Sequence, residues 1–305
     1  MLVIGAVFVD VKGFAFGSYE PEGTNIGDVQ VIPGGVCRNV AENFGRLGMP
    51  VQFVSMVDDT AMGRDTRDSL AALGVDTTHV IAADRGMGMW LAVLDQNGDL
   101  RGSISRQPDF SALESYIRER GEAIIEGTDA VVLEIDMNAA IAGEVLRLAA
   151  KHHRPVYAIV GNMGVIMKRP EYLRSVSCFI CNEIEASRLF EQDVTVLTPE
   201  EMLPLLIKES RERGIPAMVV TMGEDGAVYV DHRTGEFGRC PAIPVNMVDS
   251  TGAGDAFFSA TVAALARKYP LSRAVQVGAR LSAMTLQVAG SCCPPEAAGL
   301  LEEEN

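Results

Sequence analysis

Met247-Val-Asp-Ser-Thr-Gly-Ala-Gly-Asp-Ala-Phe-Phe-Ser-Ala260 changes character halfway: a turn of polar and very small residues runs into an apolar helical stretch, with Asp255 at the seam. Gly252, Ala253 and Gly254 carry little or no side chain, so their backbone N–H groups can approach a bound group closely. At the start of a helix those amides lack intrahelical acceptors, and the helix dipole favours negative charge there. The segment reads as an anion hole. A carboxylate beside an anion hole is electrostatically costly. The cost makes sense if Asp255 takes a proton while the amides stabilise a phosphoryl group in transit, because phosphoryl transfer depends chiefly on positioning and charge stabilisation. On these four residues alone, an ordinary helix start with an acidic first turn is the plainer alternative.

Working outward, the chain has 305 residues and a net charge of −15. That is room for one large α/β domain, and a surface of the wrong sign for nucleic acid or anionic lipid. Met1-Leu-Val-Ile-Gly-Ala-Val-Phe-Val-Asp10 lacks a basic segment and a cleavage site, so it reads as a first buried strand and a cytoplasmic location is expected. No apolar run approaches the roughly 20 residues of a membrane span. Cys178-Phe-Ile-Cys181 has redox or zinc spacing but no second pair, and its apolar neighbours make it a core strand. There is no Gly-Lys dipeptide, no G-x-S-x-G and no H-E-x-x-H, and Gly5-Ala-Val-Phe-Val-Asp10 lacks the later glycines of a dinucleotide fingerprint. P-loop enzymes, hydrolases, zinc enzymes and dehydrogenases all lose ground.

Short apolar runs at 2–9, 51–57, 130–135, 156–160, 178–181 and 218–221 alternate with amphipathic stretches near 36–47, 61–73, 139–151, 182–190 and 199–213. That alternation, with nearly all-apolar strands, predicts a doubly wound, mostly parallel sheet flanked by helices. Residues 11–32 and 79–106 break the rhythm. The second contains two strand-like runs about the turn Asp95-Gln-Asn-Gly98, a strong hairpin signal. Both insertions are expected to form a small β-sheet lid on a single α/β domain spanning 1–305. The tail Glu302-Glu-Glu-Asn305 reads as a solvated end.

Asp249-Ser-Thr-Gly-Ala-Gly-Asp255 resembles the C-terminal signature of the PfkB/ribokinase family of sugar and nucleoside kinases. Pro33-Gly-Gly-Val-Cys-Arg-Asn-Val-Ala-Glu-Asn-Phe-Gly-Arg-Leu-Gly48 is similar to that family's N-terminal signature, in the right order. The resemblance covers essentially the whole chain and implies a ribokinase-like fold with ATP as co-substrate. It implies that Asp255 is the base and that the amides of 252–254 hold the moving charge. It places Asp10, Gly34, Gly35 and Asn39 on the sugar, Asp10 at the end of the first strand. Asn182-Glu-Ile-Glu185 resembles the family's N-x-x-E motif, which implies that Asn182 and Glu185 arrange Mg²⁺ and the nucleotide phosphates through water, a role oxygen ligands suit. Val220-Thr-Met-Gly-Glu-Asp-Gly-Ala227 looks like the nucleotide loop, with Thr221, Gly223 and Gly226 along ATP. Asp249 and Thr251 match positions that help hold a monovalent cation, K⁺, in ribokinase-like members.

Val9-Asp-Val-Lys-Gly13, Leu91-Ala-Val-Leu-Asp-Gln-Asn-Gly98 and Asp136-Met-Asn138 look closest to the pseudouridine kinase branch, which implies a substrate-binding role for Asp136. Ser105-Arg-Gln-Pro-Asp109, Ile159 and Ile180-Cys181 depart from the family's pattern. The expected activity is phosphorylation of the primary, 5′-type hydroxyl of a ribosyl compound, pseudouridine-like first. Ribose, another sugar, an ordinary nucleoside, or a silent ligand-binding protein on the same fold remain alternatives. Bare β edges on the lid lead us to expect a homodimer formed through it.

Overall fold

A computed structural model describes residues 1–302, so 303–305 of the acidic tail lie outside the described residues. Alternation of buried runs with amphipathic segments produces the expected order. The first half contains β1 (Leu2–Ile4), β2 (Phe8–Ala15), β3 (Gly27–Gly34), α1 (Val36–Arg46), β4 (Val51–Val57), α2 (Ala61–Ala72), β5 (Val75–Asp76) and β6 (Val80–Ala82). Then come β7 (Gly88–Leu94), β8 (Leu100–Arg106), α3 (Ser111–Glu126), β9 (Val131–Glu134), α4 (Ala139–Lys151) and β10 (Val156–Ile159). The remainder is β11 (Cys178–Asn182), α5 (Glu183–Phe190), α6 (Pro199–Arg213), β12 (Ala217–Thr221), β13 (Ala227–Asp231), β14 (Glu236–Cys240), α7 (Ala253–Ala266) and α8 (Leu271–Thr285).

The main sheet runs β14-β13-β12-β11-β10-β9-β1-β4-β5, with β6 also on β4; it is parallel except for β13, which is antiparallel to both its neighbours. Successive side chains of a strand face opposite sides, and both sides are covered. Val3 joins Phe44, Phe257 and Val275 of α1, α7 and α8, whereas Leu2 and Ile4 join Leu113, Ile141 and Leu206 of α3, α4 and α6. All six cysteines are buried and free, those of Cys178-Phe-Ile-Cys181 in the core strand β11 as expected. Among the described residues, no helix is long and apolar enough to cross a membrane.

The expected single strand 2–9 is instead two. At Gly5 an added Cβ would fall 2.3 Å from the Cβ of Cys37, and the Ala6 N–H donates to Glu134 Oε2 at 2.8 Å rather than to a ladder partner. The chain therefore leaves the main sheet at residue 5 and restarts as β2 in a second sheet. Asp10 accordingly belongs to the lid, not to the end of the first core strand.

That second sheet, β3-β2-β7-β8, is the lid, built from the two insertions. The Asp95–Gly98 turn closes its hairpin, with Gly98 N–H donating to Asp95 O at 2.9 Å. Register sets Ile32, Asp10, Trp90 and Ser105 side by side on the inner face. On the outer face the row is Val31, Val11, Leu91 and Ile104, of which Val31, Leu91 and Ile104 are exposed.

Two polar bridges tie α1 to α7 and to the loop at 291–293. Asn43, fully buried, donates from Nδ2 to Ser259 Oγ at 3.3 Å and accepts the Cys293 N–H at 2.9 Å. Truncating it leaves the Cys293 N–H without its acceptor and removes one of the hydrogen bonds of Ser259 Oγ, which still donates to Asp255 O at 2.6 Å. Asn43→Ala is expected to lower stability by about 1–3 kcal/mol, read as a shift in the urea midpoint at unchanged slope.

Candidate active site

Where the inner lid face meets the C-terminal ends of β1 and β9 there is a cavity of about 360 Å³. Asp10, Lys12 and Trp90 line it from the lid, and Gly34, Gly35 and Asn39 from the start of α1. Phe110, Met137 and Glu134 close it from the main body. Gly35 has φ of 100°, and a Cβ there would lie 2.7 Å from Ala6 O. Only glycine lets the backbone turn into α1 at this point. Burial raises the pKa of Asp10, while the charges of Lys12 and Arg38 work against that rise.

On the far side of the α7 mouth lies a second cavity of about 670 Å³. Thr221, Gly223 and Gly226 line it together with Ala253, Gly254 and the apolar segment Ile243–Val245. Ala253 and Gly254 belong to the first turn of α7, so a helix N-terminus faces this space, with the Ala253 N–H donating to Ser250 O at 3.4 Å. A Cβ added at Gly254 would meet nothing within 4 Å, which leaves room at the mouth. Gly252 is different. It caps α7 at φ 75°, and a Cβ there would lie 2.0 Å from Ser291 O. Glycine is obligatory where the 291 loop crosses the helix start.

Asp255 follows Gly254 of the second cavity and is hydrogen-bonded to Asn39 of the first, while lining neither itself. Its Oδ2 accepts from Asn39 Nδ2 at 2.6 Å, and Asn39 Oδ1 accepts from Ser291 Oγ at 3.1 Å and from Arg38 Nη2. Protein packed around the carboxyl raises its pKa to about 6; the Asn39 hydrogen bond and the Arg38 charge hold it from rising further. Two more acids share this environment. Burial lifts Glu134 to about 8 and Glu185 to about 7, and the charges of Asp136 and Asp255 add to both.

Asn182 and Glu185 form a capping box at the start of α5: Asn182 Oδ1 accepts the Glu185 N–H at 2.8 Å, and Glu185 Oε2 accepts the Asn182 N–H at 2.9 Å. One carboxylate oxygen of Glu185 stays outside this exchange. Among the described residues there is no group of three or more His, Cys, Asp or Glu side chains arranged to hold a metal ion. Asp249 and Thr251 line the first cavity, with Asp249 Oδ1 accepting the Thr251 N–H at 2.9 Å.

Asp136, expected on the substrate, is buried against the loop after β10 and does not itself line the first cavity. Its oxygens accept the N–H groups of Gly161, Asn162 and Met163 at 2.9, 2.7 and 2.7 Å, and it is 3 % exposed. It clamps the loop after β10, and that loop's Gly161 and Asn162 line the cavity in its place. Asn39 does line the cavity, but its amide is engaged with Asp255, Arg38 and Ser291. Sequence reasoning passed over Glu134, Trp90 and Ser291. A charged residue ending the apolar run Val131-Val-Leu-Glu134 was a signal for the first; Ser291 carries no local signal at all.

Comparison with known proteins gives the family and the fold. The model of the pfkB family carbohydrate kinases matches residues 1–298. A guanosine-inosine kinase of Exiguobacterium acetylicum is 38 % identical over 295 residues, 96 % of each chain. A pseudouridine kinase of Escherichia coli (strain K12) is 25 % identical over 94 % of this chain and 90 % of its own. In fold, the ribokinase of Arabidopsis thaliana solved with ribose and ATP superposes with a TM-score of 0.83 over 99 % of this chain and 97 % of that one, at 21 % identity. The expected ribokinase-like architecture is therefore the observed one.

Because the folded-state pKa of Asp255 lies above its unfolded value, the carboxyl favours folding when protonated, and that contribution is lost as pH rises from about 4 toward about 6. Asp255→Asn removes a charge held in a desolvating site. Its melting temperature is expected to exceed that of the wild type at pH 8 and to match it near pH 4; a lower value at pH 8 would contradict this electrostatic account.

Proposed function

Because the chain belongs to the pfkB family of carbohydrate kinases, phosphotransferases acting on hydroxyl groups of sugars or nucleosides, we propose that it transfers the γ-phosphoryl group of ATP to the 5′-hydroxyl of a ribonucleoside, purine ribonucleosides first. The observation that carries this is the position of Asp255 and the α7 amides between two cavities of different character. The larger one, with its glycine loop and apolar segment, suits ATP. The smaller one has a polar end and an aromatic end.

Asp10, Gly34 and Gly35 suit a ribose diol at the polar end, with the 5′-hydroxyl carried to Asp255. Moving across the lid from β3 through β2 to β7, Trp90 stands directly beside Asp10, with Phe110 and Met137 on the opposite wall. A nucleobase would offer those aromatic faces a flat π surface to stack on, which a free sugar lacks. The 38 % identity to a guanosine-inosine kinase puts guanosine and inosine ahead of the pseudouridine-like preference read from the sequence.

In the proposed reaction the lid excludes water and the polar end fixes the sugar. Asp255 orients the hydroxyl and receives its proton, and the 252–254 amides stabilise the charge of the transferring group. Mg²⁺ would be arranged about Asn182 and Glu185 through water, and would neutralise the nucleotide phosphates. Asp249 and Thr251 are kept as candidate K⁺ contacts.

A homodimer formed through the lid is part of the same proposal, on its outer face. The apolar row Val31, Leu91 and Ile104 on the outer lid face, not the strand edges alone, is what we propose a second copy covers. Light scattering should give twice the chain mass for the wild type and the monomer mass for Ile104→Lys; a monomeric wild type would refute it.

For the substrate, a coupled ADP-release assay over guanosine, inosine, adenosine, pseudouridine and ribose decides. Guanosine and inosine should show the highest kcat/KM. Brisk turnover of ribose with none of any nucleoside would overturn the assignment.

A further inference from the structure

Helix α1 buries more charge than its packing needs. Arg38 is 5 % exposed. Its Nη2 donates to Pro33 O at 2.9 Å, to Ser291 Oγ at 2.9 Å and to Asn39 Oδ1, and its Nη1 donates to Glu42 Oε2 at 2.5 Å. The other oxygen of Glu42 is taken by Arg46, from Nε at 3.0 Å and Nη2 at 2.6 Å. Arg38, Glu42 and Arg46 thus form a ladder at i, i+4 and i+8 in which two guanidiniums share one carboxylate. Arg38 Nε is buried with no hydrogen-bond partner. Burying a guanidinium this way carries a desolvation penalty that an apolar side chain would avoid.

We propose that Arg38 is a positioning residue for phosphoryl transfer, fixing the Asn39 amide so that its NH₂ meets Asp255 and holding the sugar loop through Pro33. A guanidinium donates and cannot accept, so the Asn39 atom that faces it must be the carbonyl oxygen. That settles an otherwise ambiguous amide. With Oδ1 held by Arg38 and Ser291, Nδ2 is left to donate to Asp255 Oδ2 at 2.6 Å. One oxygen of the base is thereby committed, and the other is left for the attacking hydroxyl. Pro33 directly precedes Gly34-Gly35, so the same guanidinium also anchors the backbone that approaches the sugar.

Arg38 has a second, electrostatic effect. The ionisable groups whose fields couple to Asp255 are Cys37 of α1, Glu134 of β9, Glu185 of α5 and Cys292 of the C-terminal loop, each neutral or negative. Against them Arg38 supplies positive charge to Asp255, and likewise to Asp10. Removing it should make the base harder to ionise.

The inference rests on the kinase reading, and its test separates the two. Asp255 is followed by the pH titration of its carboxyl ¹³C signal, which needs no turnover, alongside the pH profile of kcat/KM with guanosine. In Arg38→Met the Asp255 midpoint should rise by about one unit, and the acid limb of kcat/KM with it. At its optimum pH this variant should lose on the order of 10- to 100-fold in kcat, as misplaced catalytic groups do. Arg38→Lys keeps the charge without the fork, so its midpoint should stay put while kcat still falls. A folded Arg38→Met with unchanged midpoint and unchanged kcat overturns the proposal. If Arg38→Met does not fold, Arg38→Lys decides, and a wild-type kcat there overturns it. A wild-type protein that phosphorylates no panel member, while its Asp255 midpoint still answers to Arg38, would sink the kinase reading and not the coupling.

Discussion

The short hydrogen bond between Asn39 of α1 and Asp255 of α7 is the contact on which the rest of the arrangement depends. These helices come from opposite ends of the chain and cover the same face of the sheet. Apolar packing of Val40, Phe44, Phe257 and Phe258 brings them together but does not set their rotation. The polar bridges do that. Asn39 to Asp255 and Asn43 to Ser259 lie one turn apart on both helices, so they fix register as well as distance. With register fixed, the amide mouth of α7 is presented between the lid cavity and the second cavity.

That geometry concentrates acids. Asp255, Glu134 and Glu185 share one desolvated region, and each is pushed toward its neutral form. A protein of net charge −15 that handles a polyphosphate must offset this locally. The means present are helix-terminal amides, Lys12 in the lid cavity and the buried Arg38. These groups place positive charge and hydrogen-bond donors beside the two cavities, within a chain whose other lysines and arginines are mostly at the surface.

Much of this was legible in the sequence. The parallel strands and helices announce themselves because their periodicity is local, and the boundaries of α4 and α6 match the expected 139–151 and 199–213. The glycine turn before Asp255 is equally local. Legibility failed where a residue's role is set by a distant partner. The run at 2–9 looks like one strand, but Glu134, 128 residues away in sequence, takes the Ala6 N–H and splits it. The three amides that Asp136 accepts come from the loop after β10, 25 to 27 residues away in sequence, and no local pattern announces them. Ser291 belongs to no motif; its hydroxyl reaches Asn39 and Arg38 from the far end of the chain, where Gly252 lets its backbone pass. The lid's apolar outer face could be seen only once the register of four strands was known.

The central claim is that the seam at 252–255 is where a phosphoryl group changes hands. Single-turnover transfer from ATP by Asp255→Asn, measured with ATP affinity on the same preparation, tests it most directly. The account predicts a rate lower by about 10²–10⁴-fold, the usual contribution of a general base, with ATP bound as tightly as by the wild type. Transfer at the wild-type rate by a folded Asp255→Asn would contradict it.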